Sequence, residues 1–327
     1  MIEMPKKEMK KILVTGATGQ IGSELVPALR SRHGNENVVV GVHRRPPTGE
    51  LLDGPNENVN VTDRSSIDRV VENYDIDTIY HMAAILSVAG EKNPWLAWDV
   101  NMNGTYHVLE AAREKDMFRV FVPSSIAAFG PETPRENTPQ ETVLKPRTMY
   151  GLTKVAGELL CNYYFERFGL DVRGVRYPGI ISYKTPPGGG TTDYAVEIFY
   201  EALKHKRYTC FLREDSTLPM MYMPDCIKAT LDLMDADLSG LVHHADFNLS
   251  AISFSPVELA EEIKKNIPEF TIAYVPDSRQ AIADSWPKTI DDSAAREEWG
   301  WKPGYNLASM TEDMLKNLRI RFDAGQL

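Results

Sequence analysis

The first half of the chain alternates short apolar runs with longer stretches in which apolar residues recur every three or four positions. Short runs rich in valine and isoleucine predict buried strands, and the longer periodic stretches predict helices. Strands that alternate with helices are typical of an α/β fold built on a doubly wound parallel sheet. The predicted strands are 10–16, 37–42, 77–84, 119–125 and 170–178, and the predicted helices are 20–34, the segment SSIDRVVENY with Ser65 as its N-cap, 93–116 and one that begins near Tyr150.

A glycine-rich loop joins the first predicted strand to the first predicted helix. The segment TGATGQIG places Gly16, Gly19 and Gly22 at regular spacing. Glycines at such positions permit a tight turn, let backbone N–H groups approach a pyrophosphate and let the helix pack on the strand. Because the loop follows an apolar strand and opens a helix, it predicts dinucleotide binding by a Rossmann-type sheet.

The alternation of strands and helices weakens from about residue 180, and the loops become longer. In doubly wound folds, ligands bind at the carboxyl ends of the strands. We therefore expect a dinucleotide-binding domain at 1–178 and a smaller, mainly substrate-binding lobe at 179–327, with some of its segments returning to the sheet.

A tyrosine and a lysine lie one helical turn apart at the start of the predicted helix that follows the strand at 119–125. Tyr150 and Lys154 share a helical face, since residues four apart are neighbours on the helix surface. A free phenol has a pKa of about 10, and a nearby cation favours its ionised form by about 1 to 3 pKa units. Ser124 and Ser125 end a predicted strand, where a hydroxyl can orient a substrate alcohol. The predicted catalytic residues are Tyr150 as general base, Lys154 and Ser125.

The end of the second predicted strand bears on the choice of cofactor. An acidic residue there would bind the adenosine ribose of NAD. This chain has Val42, His43, Arg44 and Arg45 instead. Two arginines can bind a 2′-phosphate, so these residues favour NADP, with Arg44 as the predicted contact. Alternatively, both arginines are solvated and backbone groups hold the ribose.

Composition excludes several classes of function. The net charge of -10 argues against binding to nucleic acid or to anionic membranes. Cys161, Cys210 and Cys226 form no C-x-x-C pair, so neither a metal site nor a disulfide framework is predicted. The apolar run near the N-terminus is too short for a signal sequence or a membrane span, and a cytoplasmic protein is expected.

Several motifs, in the same order along the chain, resemble the extended short-chain dehydrogenase/reductase family. They are the glycine loop, HMAA at 81–84, NMNGT at 101–105, the serine before FG at 129–130, YGLTK at 150–154 and RYPG at 176–179. The resemblance implies a nicotinamide dinucleotide cofactor. The residues that it adds to the cofactor site are Gln20, Ile21, Ala83, Asn101, Tyr177 and Pro178, together with Tyr150 and Lys154.

Longer segments of the second half look like the L-threonine 3-dehydrogenase branch of that family. They are PGIISYKTPPGGGTTDYA (178–195), LPMMYMPDC (218–226), ISFSPVEL (252–259) and IADSWPKTIDDSAAREEWGW (282–301). The resemblance implies oxidation of the β-hydroxyl of L-threonine to 2-amino-3-ketobutyrate, with hydride transfer to NAD. It favours NAD although the family usually has an aspartate at Val42 and another near Asn60, and NADP remains an alternative.

The same segments suggest substrate contacts. Prolines followed by glycines in TPPGGG have the composition of a lid hinge. One of Thr191 and Thr192 is expected to cap the next helix and the other to bind substrate, and the resemblance favours Thr192 for the substrate. Asp225 is expected to cap the helix CIKATLDLM. The predicted substrate contacts are Ser87, in the loop after HMAAIL, Ser124, Ser125, Tyr150, Gly190, Thr191, Thr192 and Trp286.

Two other functions remain open from the sequence. A nucleotide-sugar epimerase or dehydratase would share the motifs of the first half, but it should carry basic or aromatic residues for a diphosphate and a base in the C-terminal lobe. A non-catalytic dinucleotide sensor would not need Ser125, Tyr150 and Lys154. Whether the chain is a monomer or a homodimer is also open, because the long helices that could pair must cover the sheet as well.

Overall fold

The computed structural model describes residues 8–326, which form two compact units. Each unit is assembled from segments that are separate in sequence. The sequence suggested a boundary between residues 178 and 179, with some later segments returning to the sheet. The first unit consists of the described residues up to Ser124, Thr148–Val175 and Thr230–Asp246. The second consists of Ser125–Arg147, Arg176–Ala229 and the described residues from Phe247 onward.

The strands and helices are numbered in chain order. The strands are β1 (Ile12–Thr15), β2 (Val38–Val42), β3 (Asn56–Asn58), β4 (Thr78–His81), β5 (Arg119–Phe121), β6 (Ser124–Ser125), β7 (Val172–Arg173), β8 (Val175–Tyr177), β9 (Gly179–Ile181), β10 (Arg207–Cys210), β11 (Leu218–Tyr222), β12 (Phe247–Asn248), β13 (Ile252–Phe254) and β14 (Thr271–Tyr274). The helices are α1 (Gly22–His33), α2 (Arg64–Tyr74), α3 (Ser87–Lys92), α4 (Pro94–Trp98), α5 (Gly104–Glu114), α6 (Met149–Phe168), α7 (Tyr194–His205), α8 (Met223–Asp235), α9 (Pro256–Asn266), α10 (Arg279–Ala283), α11 (Ser293–Trp299) and α12 (Leu307–Asp323).

The first unit contains a parallel sheet with strand order β3-β2-β1-β4-β5-β7. The register of β1 places Ile12 beside Val38 on one side and beside Thr78 on the other. The strand order reverses between β1 and β4, so the carboxyl ends of these two strands border the crevice in which doubly wound sheets bind ligands. This arrangement confirms the predicted Rossmann-type α/β fold.

The core of the first unit fills the space between the sheet and its helices. Strands β1 and β2 are continuous apolar runs with almost every side chain buried, as expected for a parallel sheet covered on both faces. The helices α2 and α5 bury Ile67, Val70, Val108 and Leu109 against it. Each fully buried valine or leucine stabilises the fold by about 1.5 to 3 kcal/mol relative to an exposed one, so this packing holds the strand ends in fixed positions.

The second unit contains smaller sheets. Strands β10 and β14 pair in parallel, β11 pairs with β9 in parallel and with β13 in antiparallel orientation, and β8 lies between β12 and β6. Strands and helices do not alternate regularly in this unit, so its sequence pattern is harder to interpret.

Two predicted elements are interrupted in the structure. The helix expected at 93–116 is divided into α4, a π-helical segment at Asp99–Asn103 and α5. The strand expected at 170–178 is divided at Gly174 into β7 and β8, which belong to different sheets. A Cβ atom at Gly174 would lie 2.2 Å from the Val122 carbonyl oxygen, so this close approach requires glycine.

The predicted helix caps need correction. Helix α2 is capped by Asp63, whose carboxylate accepts a hydrogen bond from the Ser65 N–H, so Ser65 is not the N-cap. Asp193, rather than Thr191 or Thr192, occupies the N-cap position of α7.

Asp225 is not a cap either. It lies inside the first turn of α8, and its carboxylate accepts hydrogen bonds from Gly304 N–H at 2.7 Å and Tyr305 N–H at 3.1 Å. It therefore fixes a distant loop of the second unit.

Within residues 8–326, no helix has the length and apolar character needed to cross a membrane. The same part of the chain contains no group of three or more histidine, cysteine or acidic side chains that could hold a metal ion.

Candidate active site

The glycine loop lies at the point where the strand order reverses. Gly16 has a φ of +63°, and a Cβ atom there would lie 2.6 Å from the Ala83 Cα. Only glycine permits both this conformation and this approach. The Ala83 N–H also donates to Thr15 Oγ1 at 3.4 Å, so the loops after β1 and β4 form one surface.

Helix α1 begins at Gly22, directly after this loop, with Gln20 and Ile21 in the turn between them. Ile21 is the N-cap and, among the described residues, no side chain caps the first turn. The N-terminus of a helix carries partial positive charge and presents backbone N–H groups, which together favour an anion. The loop, with Gly19 at its centre, therefore fits the pyrophosphate of a dinucleotide.

The end of β2 carries exposed basic residues. Val42, the last residue of β2, is half-buried, and Arg44 and Arg45 are exposed. Neither guanidinium group has an ion-pair partner among the residues that the structure describes. His43 Nδ1 lies 3.3 Å from the Asn58 Oδ1, so the side chain next to Val42 contacts an amide of β3.

Tyr150 lies at the entrance of α6, as the sequence predicted. Thr148 is the N-cap, and its hydroxyl oxygen accepts a hydrogen bond from the Gly151 N–H at 3.0 Å. Lys154 lies one turn farther along, with Nζ 5.4 Å from the centre of the Tyr150 ring. The Nζ donates to the Pro123 carbonyl oxygen at 2.6 Å. The two side chains therefore lie on one face, and the lysine is tied to the carboxyl end of the strand that precedes β6.

Burial of the Lys154 ammonium lowers its pKa to about 8, and the negative charge of Glu158 opposes this effect. Below pH 8, Lys154 is protonated in most of the protein molecules. An ammonium group one turn from Tyr150 stabilises a negative charge on the phenol oxygen, which is the form required of a general base.

A short helix packs against the start of α6. Ser87 is the first residue of α3, so it lies in a helix and not in a loop as expected. The Glu91 carboxylate of α3 accepts a hydrogen bond from the Met149 N–H at 2.6 Å. A Cβ atom at Gly90 would lie 3.9 Å from the Tyr150 nitrogen. The structure thus places the helix that carries Ser87 beside Tyr150, through contacts of Glu91 that the sequence did not suggest.

Several of the predicted residues line one small cavity. Its volume is about 20 Å³, enough for a single water molecule. The side chains around it come from β4, from the π-helical segment and α5, from the segment after β5 and from α6. The polar and titratable lining residues are His81, Asn101, Thr105, Ser124, Thr153, Lys154, Glu158 and Cys161.

The Asn101 side chain is already engaged by the protein. Its Oδ1 accepts from the Ile85 N–H at 2.8 Å, and its Nδ2 donates to the Ile85 carbonyl at 3.0 Å and to Thr153 Oγ1 at 3.1 Å. The Thr153 hydroxyl in turn donates to the Tyr150 carbonyl oxygen at 2.8 Å. Asn101 therefore connects the segment after β4 with the helix of Tyr150, and direct cofactor contact by its side chain remains a prediction.

The remaining predicted residues belong to the second unit. Ser125 is half-buried in β6, and its Oγ accepts from the Ala127 N–H at 3.2 Å. Tyr177 and Pro178 are buried at the end of β8. A Cβ atom at Gly179 would lie 2.7 Å from Thr192 Cγ2, so the loop before α7 folds onto the start of β9.

That loop leaves both threonine hydroxyls outside the capping role. The Asp193 carboxylate accepts from the Gly188 N–H at 2.6 Å and from the Gly190 N–H at 2.9 Å, and so closes the glycine-rich turn. Thr191 Oγ1 is buried with no hydrogen-bond partner in the described part of the chain. Trp286 is buried, and its carbonyl oxygen accepts from Arg135 Nε at 3.1 Å. Substrate contacts by these residues remain predictions.

The sequence matches the NAD dependent epimerase/dehydratase family over residues 12–249. An epimerase/dehydratase of Staphylococcus haemolyticus, described as uncharacterised, is 52% identical over 310 residues, which cover 94% of this chain and 97% of the relative. The Rossmann-type fold and the glycine loop thus place the protein among the dinucleotide-dependent enzymes. The chain belongs to the NAD dependent epimerase/dehydratase family, and its cofactor is a nicotinamide dinucleotide.

Solved structures with similar folds are more narrowly described. The L-threonine dehydrogenase of Clostridium difficile is 51% identical with a TM-score of 0.94, and the match covers 96% of this chain and 99% of that protein. The L-threonine dehydrogenase of Cupriavidus necator, described as GalE-like and in its holo form, is 53% identical with a TM-score of 0.92, over 94% of this chain and 99% of that protein.

Proposed function

We propose that this protein is an L-threonine 3-dehydrogenase that oxidises the β-hydroxyl of L-threonine to 2-amino-3-ketobutyrate. The observation that carries the proposal is the likeness, at 51% and 53% identity over nearly the whole chain, to two L-threonine dehydrogenases. The geometry of Tyr150 and Lys154 supplies the chemistry that this oxidation requires. Oxidation of an alcohol needs a base for the hydroxyl proton and an acceptor for the hydride.

Tyr150 is the base in this reaction. Its ionised phenol oxygen removes the proton from the β-hydroxyl, and the Lys154 ammonium stabilises the ionised form. A nicotinamide dinucleotide bound at the glycine loop would supply the acceptor for the hydride that leaves the β-carbon. Lys154 is held by the Pro123 carbonyl, so its ammonium does not need to be ordered when the substrate binds.

Residues of both units are assigned to substrate binding in this proposal. Ser124 and Ser125 at the end of the strand path orient the alcohol, and Ser87, Thr191 and Thr192 bind the polar groups of the amino acid. Gly190 and Trp286 shape the pocket around the methyl group. The buried hydroxyl of Thr191 has no hydrogen-bond partner within residues 8–326, and it supports this role because such a group gains a hydrogen bond when a polar ligand binds.

We further propose NAD as the cofactor. The family description supports NAD, whereas the exposed Arg44 and Arg45 after β2 favour the 2′-phosphate of NADP. Titrations of the purified protein with both dinucleotides decide between them. We expect a lower dissociation constant for NAD, and tighter binding of NADP would reverse this assignment.

An activity assay separates the proposal from its two rivals. The protein is incubated with L-threonine or with nucleotide sugars in the presence of NAD, and formation of reduced cofactor is followed by absorbance. Reduction with L-threonine alone supports the dehydrogenase. Turnover of a nucleotide sugar supports an epimerase or dehydratase, and cofactor binding without turnover of either substrate supports a sensor.

The Tyr150→Phe substitution tests the assignment of the base. The variant retains the ring but loses the ionisable oxygen, so we expect kcat to fall by about 10²- to 10⁴-fold while NAD binding is retained. Tyr163→Phe is the matched control, since Tyr163 lies on the same helix with about half of its side chain exposed. Near wild-type turnover in Tyr150→Phe would show that another group removes the proton.

A further inference from the structure

Glu158 is a buried carboxylic acid on the helix that carries Tyr150 and Lys154. Only 4% of its surface is exposed. Burying a carboxylate is unfavourable unless hydrogen bonds and opposite charges compensate for the lost hydration. The fold must therefore stabilise this side chain, and none of the motifs that indicated the active site accounts for it.

The position of Glu158 relates it to Lys154. The two residues are four apart in α6, so their side chains lie on the same helical face. The negative charge of Glu158 raises the pKa of Lys154, against the larger lowering effect of burial. On the other side, the Ser124 hydroxyl donates a hydrogen bond to the Glu158 carboxylate. The carboxylate thus lies on the same face of α6 as Lys154 and accepts a hydrogen bond from a serine at the strand end.

The other titratable groups near this pair do not supply a comparable negative charge. Burial and the nearby Lys154 lower the pKa of His81 to about 3, so its imidazole is neutral. Burial raises the pKa of the Cys161 thiol far above its usual range, so it is protonated, and the negative charges of Glu158 and Asp246 add to this effect. Tyr150, whose ring centre lies 5.4 Å from the Lys154 Nζ, is a further titratable neighbour of the lysine.

We propose that Glu158 is a positioning residue for the oxidation, in which its carboxylate, held by Ser124, keeps the Lys154 ammonium charged beside Tyr150. The inference rests on the proposed function, because it assigns Glu158 a role only through Lys154 and the base. Glu158 touches neither substrate nor cofactor in this account. Its effect should therefore depend on pH, unlike the effect of a residue that merely stabilises the fold.

The Glu158→Gln substitution removes the charge and keeps the shape of the side chain. If the lost charge lowers the Lys154 midpoint by about one pKa unit, kcat relative to wild type stays near 1 at pH 6 and falls about fivefold at pH 8. Glu158→Asp, which restores the charge, should recover part of the activity at pH 8. Glu166→Gln, at an exposed position of the same helix, should leave the profile unchanged.

A second readout does not depend on threonine oxidation. In the full-length protein with ¹⁵N-labelled lysine, the Lys154 Nζ signal is assigned with Lys154→Arg and titrated by NMR. We expect a lower midpoint in Glu158→Gln than in wild type, and a smaller shift in the same direction in Ser124→Ala. If threonine is not oxidised but the midpoint shifts, the proposed substrate is wrong, whereas the effect of Glu158 on the charge of Lys154 stands.

Two results would overturn the role of Glu158. One is an equal Lys154 midpoint in wild type and Glu158→Gln, and the other is a loss of kcat that is the same at every pH. If Glu158→Gln does not fold, the Ser124→Ala titration decides, and an unchanged midpoint there refutes the proposal.

Discussion

At the scale of single residues, His81 shows how the fold holds an ionisable group in its neutral form. It ends β4 with its side chain buried, and its Nδ1 lies 2.9 Å from Thr15 Oγ1. Its Nε2 has no hydrogen-bond partner in the described part of the chain. Burial, with a smaller effect of Lys154, lowers the pKa of His81 from 6.5 to about 3. An imidazolium here would add a second positive charge beside the lysine that stabilises the base.

The lowered pKa of His81 predicts a loss of stability in acid. Below pH 6.5, His81 binds a proton in the unfolded chain but not in the folded protein, so the free energy of unfolding falls as the pH falls toward 3. At pH 5 we expect this group to cost about 2 kcal/mol relative to pH 7.5. Urea unfolding at both pH values measures the change in wild type and in His81→Asn, which should lack this part of the loss. His205→Asn, at an exposed position of α7, should behave like wild type, and parallel losses in all three proteins would refute the argument.

Residues whose role depends on local spacing could be predicted from the sequence. Gly16 follows from the loop between strand and helix, and Tyr150 with Lys154 follows from the helical repeat. Glu158 continues the same four-residue spacing and could have been included by the same rule. Glu91 could not, because its hydrogen bond reaches Met149, 58 positions away, and the sequence contains no sign of that contact.

At the scale of elements, the π-helical segment at Asp99–Asn103 is the clearest departure from the expected pattern. Apolar periodicity predicts one helix at 93–116, because a π-helical segment of five residues is too short to be recognised in the pattern. The segment carries Asn101, whose amide contacts Ile85 and Thr153. Such π turns often occur at functional sites, and here the turn directs a side chain toward both neighbours.

We expect Asn101→Ala to destabilise the first unit. The substitution leaves the partly buried backbone groups of Ile85 without their partners, and an unsatisfied buried group costs about 1 to 3 kcal/mol. Asn103→Ala, in the same π-helical segment, is the matched control. Asn103 is exposed, and its side-chain amide donates a hydrogen bond to the Asp99 carboxylate at 2.8 Å. Urea unfolding measures both changes. Equal stability of the two variants would show that the Asn101 contacts contribute little.

Helix ends were predicted less well than helix positions. Around α2 and α7, adjacent residues of similar capping ability compete, and the backbone conformation decides which one caps. Asp63 has an extended backbone and caps α2, two residues before the expected Ser65. At α7 the carboxylate of Asp193 instead binds backward to the turn at 188–190. Composition alone does not distinguish these outcomes.

At the scale of the whole molecule, the segment Thr230–Asp246 belongs to the first unit although it lies far along the chain. A buried cluster of charged residues holds it there. The Asp171 carboxylate pairs with Arg119 at 2.7 Å and with Arg173 at 2.8 Å. Arg173 also donates to the Ala236 carbonyl at 2.8 Å, and Arg119 donates to the Met234 carbonyl. These partners are 63 and 115 positions apart, so a boundary at residue 178 was the simplest prediction from the sequence.

The Asp171→Asn substitution tests this cluster. Removing one acid leaves two buried guanidinium groups without their counter-charge, and breaking such a buried pair costs about 3 to 5 kcal/mol. Asp235→Asn is the control. Asp235 pairs with Arg32 at 2.6 Å, its side chain is more than half exposed, and exposed pairs contribute about 0 to 1 kcal/mol.

Urea unfolding measures the loss of stability, and hydrogen exchange of the amides at 230–246 locates it. Because Arg119 and Arg173 bind carbonyls of that segment, we expect its exchange to rise more than that of β1 and β2. A cost in Asp171→Asn no larger than in Asp235→Asn would mean that apolar packing alone keeps the segment in the first unit.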